Sequence, residues 1–173
     1  QANELWSWDI TYCPSSVRGL YYYLYMIEDV FSRKIVGWEV YPAENGQFAS
    51  ELVHKTVLKE RCFRKPLVLH SDNGSPMKAS TLLAKCHELG ITPSRGRPRV
   101  SNDNAFSESL FKTMKYMPDW PHDGFESIDA ARKWVNDFVQ WYNHEHCHSG
   151  IQFVTPKQRH DRSEEHTSEL QSP

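Results

Sequence analysis

Leu67-Val68-Leu69-His70-Ser71-Asp72-Asn73-Gly74 is the stretch on which the reading of this chain turns. A short apolar run closed by an Asn-Gly turn signal reads as a buried strand. Asp72 then stands just past the strand's carboxyl end, where open α/β sheets keep their sites. Downstream, Asn102-Asp103-Asn104-Ala105-Phe106-Ser107-Glu108-Ser109-Leu110-Phe111-Lys112-Thr113-Met114-Lys115 reads as a helix entered from a polar turn. At ~100° per residue, Phe106, Leu110, Phe111, Met114 and Met117 share an arc of about 140°, with Glu108, Lys112 and Lys115 on the opposite side. Upstream, Asp9 lies in the strand-like segment Trp6-Ser7-Trp8-Asp9-Ile10-Thr11. The expectation is that Asp9, Asp72 and Glu108 converge at the open end of a sheet. Such acids repel one another unless a cation sits among them, and oxygen-only ligands favour Mg²⁺ or Mn²⁺.

Taken singly, each acid has a plainer role. An Asp before Asn-Gly is a good turn residue, a Glu on a helix a good solvated one, and Trp6 and Trp8 good packing. It is the joint arrangement, with 35 residues between Asp72 and Glu108, that outweighs those readings.

The rest of the chain supplies a frame. Residues 4–13 read as a first strand, and Leu20-Tyr21-Tyr22-Tyr23-Leu24-Tyr25-Met26-Ile27 as a second, entered from the Arg18-Gly19 turn. A hairpin at Ser32-Arg33 leads to a third strand over Lys34 to Tyr41, so the first three form an antiparallel meander. Asn45-Gly46 opens a helix whose Phe48, Leu52, Val53 and Val57 recur at helical spacing. Its crossover makes the fourth strand, Leu67–Leu69, parallel to the first. Ser75 and Pro76 start one continuous helix to Leu89, with Gly90 as its C-cap. Ile91-Thr92-Pro93-Ser94 is a short fifth strand, confined by Pro93 to an edge. A last helix spans Ser127 to His144 and buries Ile128, Ala131, Val135, Phe138, Val139 and Tyr142.

Composition agrees with one globular domain. The chain has 173 residues, 39% hydrophobic and 13% aromatic, enough for a sizeable core. No apolar run approaches the ~20 residues of a membrane span, and no secretory signal opens the chain. Cys13, Cys62, Cys86 and Cys147 form no C-x-x-C pair and read as reduced thiols. The net charge of −2 is concentrated at the end: residues 1–160 carry +1 and residues 161–173 carry −3. Residues 161–173 lack hydrophobic periodicity and are expected to be disordered. They also resemble the translated read-through of a sequencing-library adapter, which would make them an artefact and place the natural carboxyl end elsewhere. The absence of an initiator Met at Gln1 is read as a sign that the chain is a piece of a longer product. Residues 1–160 show no internal repeat and no domain boundary.

Several dispersed motifs together resemble a known family. Asp9, Asp72 and Glu108 with their spacing are similar to the D,D-35-E triad of integrase-core transposases and retroviral integrases. Ile27-Glu28-Asp29-Val30-Phe31-Ser32-Arg33-Lys34-Ile35-Val36-Gly37-Trp38, His70-Ser71-Asp72-Asn73-Gly74 and Trp141-Tyr142-Asn143 resemble bacterial insertion-element transposases, specifically insertion sequence family three. The resemblance covers roughly residues 5 to 160 and implies an α/β, ribonuclease H-like fold. It has a five-stranded mixed sheet, three antiparallel strands then two parallel, flanked by helices. It implies a catalytic core that cleaves DNA 3′ ends and transfers strands with two Mg²⁺ or Mn²⁺ ions held by Asp9, Asp72 and Glu108. It also implies DNA partners (element terminal repeats and target), a homo-multimer on DNA, and a bacterial, cytoplasmic, nucleoid-associated setting without a membrane. The alternatives are a ribonuclease H-like nuclease that only hydrolyses, and an inactive DNA-binding remnant.

Basic and polar groups surround this core. Arg95, Arg97 and Arg99 alternate with Gly and Pro before the Glu108 helix, either a solvated loop or an arm tracking phosphates. The resemblance gives Lys115 a contact with DNA at the element end, with Lys112 one turn before it. Asn73 and Asn104 suit either local turns or the orientation of carboxylates and phosphates. His144-Glu145-His146-Cys147-His148 holds soft ligands without completing a four-ligand site. The family commonly has a basic residue where Cys147 stands.

Overall fold

The computed structural model describes residues 1–96 and 104–171. Five strands form one sheet: β1 (Leu5–Pro14), β2 (Tyr21–Asp29), β3 (Ile35–Tyr41), β4 (Leu67–Ser71) and β5 (Ile91–Arg95). Their order is β3-β2-β1-β4-β5. β1–β2 and β2–β3 are antiparallel, while β1–β4 and β4–β5 are parallel. Pro93 does lie on an edge strand, where its missing N–H leaves no ladder bond unmade. The helices are α1 (Gly46–Lys59), α2 (Ser75–Lys78), α3 (Ser80–Leu89), α4 (Ala105–Lys115), α5 (Ile128–His144) and α6 (Pro156–Gln171).

Strand alternation builds two cores, one on each face of the sheet. Trp6, Trp8, Tyr25 and Ile27 pack with Leu52, Val53 and Val57 of α1 and Leu82, Cys86 and Leu89 of α3. The opposite face presents Cys13, Leu24, Met26 and Val40 to Leu110 and Met114 of α4 and Val135, Phe138 and Tyr142 of α5. Gly37 lets α1 close on β3, since a Cβ there would lie 2.1 Å from Thr56 Oγ1. Among the described residues, no helix is long and apolar enough to cross a membrane.

Four expectations are corrected. The single helix from Ser75 to Leu89 is two, because Ala79 is extended at φ −61°, ψ 134°. Gly46, opening α1, approaches the break so closely that a Cβ on it would be 2.3 Å from the Ala79 Cβ. Gly74, not Ser75, is the N-cap, and Pro76 lies within the first turn. Phe106, expected on the buried arc, is exposed at the start of α4, with the Arg33 guanidinium 4.1 Å above its ring. The backbone beyond residue 160 is helical to Gln171 rather than disordered. Thr155 and Gln158 cap the start of α6 reciprocally, and a nucleated helix propagates cheaply through polar residues.

Two polar contacts hold the last helices to the sheet. Asn143 of α5 accepts from the Ile35 amide (2.9 Å) and donates to the Ile35 carbonyl (3.0 Å), all buried at the start of β3. On α6, buried His160 places Nδ1 2.8 Å from Ser32 Oγ and 3.6 Å from Asp29 Oδ2. Its Nε2 stands 3.4 Å from Glu60 Oε2, and Lys34 Nζ lies 3.0 Å from Glu60 Oε1. Burial alone would lower the imidazole pKa, yet Asp29 and Glu60 outweigh it and raise His160 to about 9. Burial likewise disfavours the Glu60 charge, but His160 and Lys34 hold that carboxyl at about 2.

Asn143→Ala strands a buried N–H and a buried C=O, each costing roughly 1–3 kcal/mol. The expected result is a lower urea midpoint at unchanged denaturant slope. For His160, the folded pKa of about 9 lies above the ordinary 6.5. Its contribution is therefore complete below that ordinary value and is lost as pH rises toward the folded one. The stability advantage of the wild type over His160→Gln should shrink across that interval, as read from urea unfolding at a series of pH values.

Candidate functional site

The parallel register of β1 and β4 sets the site. Leu5, Trp6 and Ser7 pair with Val68, Leu69 and His70. Two residues beyond the Ser7–His70 pair stand Asp9 and Asp72, side by side at the same end of the sheet. Asp9 is half-buried within β1, and its Oδ1 accepts from the Ile10 amide at 2.8 Å. Asp72 is exposed just past β4, where its Oδ1 caps the Gly74 amide at 2.8 Å. The plain turn role and the site position thus coexist in one side chain. Glu108 lies exposed in the first turn of α4.

A buried clamp ties α4 to the strand that carries Asp9. Ser7 Oγ donates to Asn104 Oδ1, and Asn104 Nδ2 donates to the Trp8 carbonyl at 3.2 Å. Ser7 Oγ also stands 3.1 Å from Ser107 Oγ. Ser107 is the residue before Glu108, and Trp8 the residue before Asp9. At the far end of α4, Lys115 Nζ donates to Thr11 Oγ1 at 2.7 Å. The helix is therefore fixed to β1 on both sides of Glu108.

The acids feel one another. Burial comes first in raising the Asp9 carboxyl; the Ile10 amide opposes it, and the charges of Asp72, Glu108 and Glu44 push further, to about 7. Glu44 is an acid that the sequence reading passed over. It precedes Asn45, the N-cap of α1, in the loop after β3, which opens at the same end of the sheet as β1 and β4. An open cavity of about 280 Å³ is lined by Asp9, Tyr12, Glu44, Asp72 and the Gly74–Met77 turn. Among the described residues, no group of three or more His, Cys, Asp or Glu is gathered closely enough to hold a metal ion. Asp9, Asp72 and Glu108 thus lie within Coulombic range but not in a common ligand shell.

The other predicted residues fall as follows. Arg95 ends β5 and pairs with Ser71, one residue before Asp72. Asn73 Nδ2 donates to the Gly96 carbonyl, tethering the turn after β4 to the end of β5. Lys112 is exposed, 6.0 Å from the Tyr116 ring. Arg97 and Arg99 lie outside the described residues. In the His-rich segment, His146 packs against Trp141 and Tyr142, while His148 Nδ1 accepts from the Gly150 amide. Those are packing and capping roles.

A sequence profile described as Integrase core domain matches residues 1–101, and a second of the same description matches residues 89–156. The chain belongs to the integrase core domain family. The transposase for insertion sequence element IS904 of Lactococcus lactis is 32% identical over 160 residues, 90% of this chain and 60% of that protein. Transposase InsF for insertion sequence IS3A of Escherichia coli is 26% identical over 158 residues, 90% of this chain and 53% of that protein. This chain thus spans little more than half the length of these curated relatives. Among solved structures, the trimeric HTLV-2 integrase catalytic core in complex with magnesium superposes with a TM-score of 0.66 at 17% identity, covering 91% of this chain and 96% of that one. A chain of the simian T-cell lymphotropic virus intasome, solved with the PP2A regulatory subunit B56 gamma, gives 0.68 at 19% identity, over 91% and 54%. These likenesses show the ribonuclease H-like fold.

Asn104→Ala should release the start of α4 and leave the Trp8 carbonyl without its buried donor, costing roughly 1–3 kcal/mol. Amide hydrogen exchange should rise first at Ala105–Glu108, ahead of the sheet.

Proposed function

We propose that this chain is the catalytic core of an insertion-element transposase, which cuts DNA at the element's 3′ ends and joins them to a target strand. The observation that carries the reading is the juxtaposition of Asp9, within β1, with Asp72, just past the end of the parallel neighbour β4, and with Glu108 near enough for its charge to be felt at Asp9. It stands within an integrase core domain and beside transposase relatives.

The donor set fits a hard divalent cation. All three side chains offer oxygen only, and the Asp9 carboxyl is raised to about 7 first by burial and then by its negative neighbours, against the opposing Ile10 amide. Asp9, Asp72 and Glu108 would hold Mg²⁺ or Mn²⁺, and we propose two ions. When bound, such ions stabilise charge on the phosphoryl oxygens and lower the pKa of water or of a sugar hydroxyl. The chain's own contribution is to hold the carboxylates. Asp9 is fixed by its strand, Asp72 by its turn, and Glu108 by the Ser7–Asn104 clamp. A cation held there would favour the ionised form of the Asp9 carboxyl, which burial and the neighbouring acids otherwise raise.

DNA would be positioned by cations around this end of the sheet. Lys115 is anchored to Thr11 on the Asp9 strand, and Arg95 sits beside the Asp72 turn. Lys112, Asn73, Arg97 and Arg99 complete the proposed contacts with the phosphate backbone. Element ends are the first substrate and target DNA the second, within a homo-multimer on bacterial DNA in the cytoplasm. No Ser or Tyr nucleophile is assigned, because water and then the freed 3′-hydroxyl attack phosphorus directly.

Asp72→Asn keeps an oxygen to cap the Gly74 amide, so the turn should survive. Mg²⁺-dependent cleavage and joining of labelled element ends should fall by more than about 100-fold, with gel-shift affinity for DNA largely kept. Full activity in that variant defeats the assignment. Cleavage by the wild type without joining of a pre-cut 3′-hydroxyl end would mark a nuclease instead.

A further inference from the structure

β1 continues past Asp9 into an aromatic surface whose inner member, Tyr23, packs against the first core and whose outer rings are exposed. Tyr12 pairs with Tyr23 across β1 and β2, their rings edge-to-face at 5.2 Å. Tyr21 lies beside Tyr12 with ring centroids 5.8 Å apart. Tyr12 is 50% exposed and Tyr21 44%, which leaves ring surface open to solvent. Val17 and Leu20, also exposed, extend the patch to the tip of the β1–β2 hairpin. Single exposed aromatics are ordinary, but a contiguous cluster marks a binding surface.

This surface is continuous with the candidate site, because Tyr12 lines the same cavity as Asp9 and Asp72. Tyr12 lies three residues beyond Asp9, about 10 Å along the strand and, by strand alternation, on the other face of the sheet, so the two meet only at the mouth of the shared cavity. A strand whose phosphate sits at the acids would bring a nearby nucleotide over this ring. Glu44 lines the cavity beside Tyr12, and its charge raises the Tyr12 phenol pKa. That carboxylate also repels phosphate, which favours a neutral occupant over the DNA backbone. A nucleobase meets the requirement: it is flat, uncharged and stacks on tyrosine whatever its identity.

We propose that Tyr12, backed by Tyr21 and Tyr23, is a stacking platform for an unpaired base of the DNA strand engaged at Asp9 and Asp72. The platform takes single-stranded or frayed DNA without sequence preference and leaves paired bases alone. It rests on the transposase-core reading, and the test separates the two.

Forked oligonucleotides carrying 2-aminopurine in the unpaired arm, and a fully paired control, are titrated with the whole chain in Mg²⁺-containing buffer. The variants are Tyr12→Phe, which keeps the ring, and Tyr12→Ser, which removes it; circular dichroism checks their folding. Tyr21→Ser stands in should Tyr12→Ser not fold. The wild type and Tyr12→Phe should quench 2-aminopurine. Tyr12→Ser should lose the quench and bind the fork roughly 5- to 100-fold more weakly, with affinity for the paired control unchanged. Equal quench and fork affinity in Tyr12→Ser overturns the platform, as does equal weakening on fork and paired control. A lost oligomer in Tyr12→Ser with fork binding intact assigns the patch to a second copy and likewise overturns it. Cleavage of labelled ends by the wild type in parallel shows whether the transposase reading survives when the platform fails. Failure of the wild type to bind either DNA overturns both.

Discussion

The parallel pairing of β1 with β4 is the constraint on which the molecule depends. Hydrogen bonds fix Ser7 opposite His70, and a slip of one residue would turn Asp9 to the other face of the sheet. Carboxylates placed so close raise each other's energy, and among the described residues no ion pair to Asp9, Asp72 or Glu108 relieves this. Lys115 is directed to Thr11 and Arg95 to the edge of β5, leaving the acids unneutralised. Sites that retain such repulsion are candidates for chemistry rather than stability.

Everything else serves to keep that end of the sheet rigid. The two cores grip β1 on both faces, so the strand cannot shift without disturbing Trp6 and Trp8 on one side or Cys13 on the other. On the α4 side the contact nearest the acids is polar. A buried network is worth having only when its members satisfy one another, and the Ser7–Asn104–Trp8 bonds meet that condition. Polar geometry is directional, so it fixes the rotation of α4 about its axis more tightly than packing would.

Much of this was legible in the residues. Strand order followed from the crossover rule, the turn at Asp72 from Asn-Gly, and the last helix from its apolar face. What escaped had non-local causes. The break at Ala79 packs against Gly46, 33 positions away in the chain, a contact that no local propensity encodes. Asn104 suits in sequence either a local turn or the orientation of carboxylates and phosphates, and its tie to Ser7 and Trp8 is invisible there because those partners are adjacent to it only in space. Glu44 carried a signal that could have been read: a carboxylate in the loop after a strand running parallel to β1 opens on the same sheet end. The helix beyond residue 160 was missed because its polar pattern gives no face to bury.

The placement of His160 has a practical corollary for dissecting the chain. Asp29, on β2, and Glu60, just past α1, are far apart in sequence, yet both approach a single imidazole supplied by α6. A fragment trimmed anywhere before that histidine would retain both anions in the interior with Lys34 as the one cation identified beside them. The smallest autonomous piece of this domain must therefore reach into α6, even though every acid of the candidate site lies more than fifty residues upstream of it.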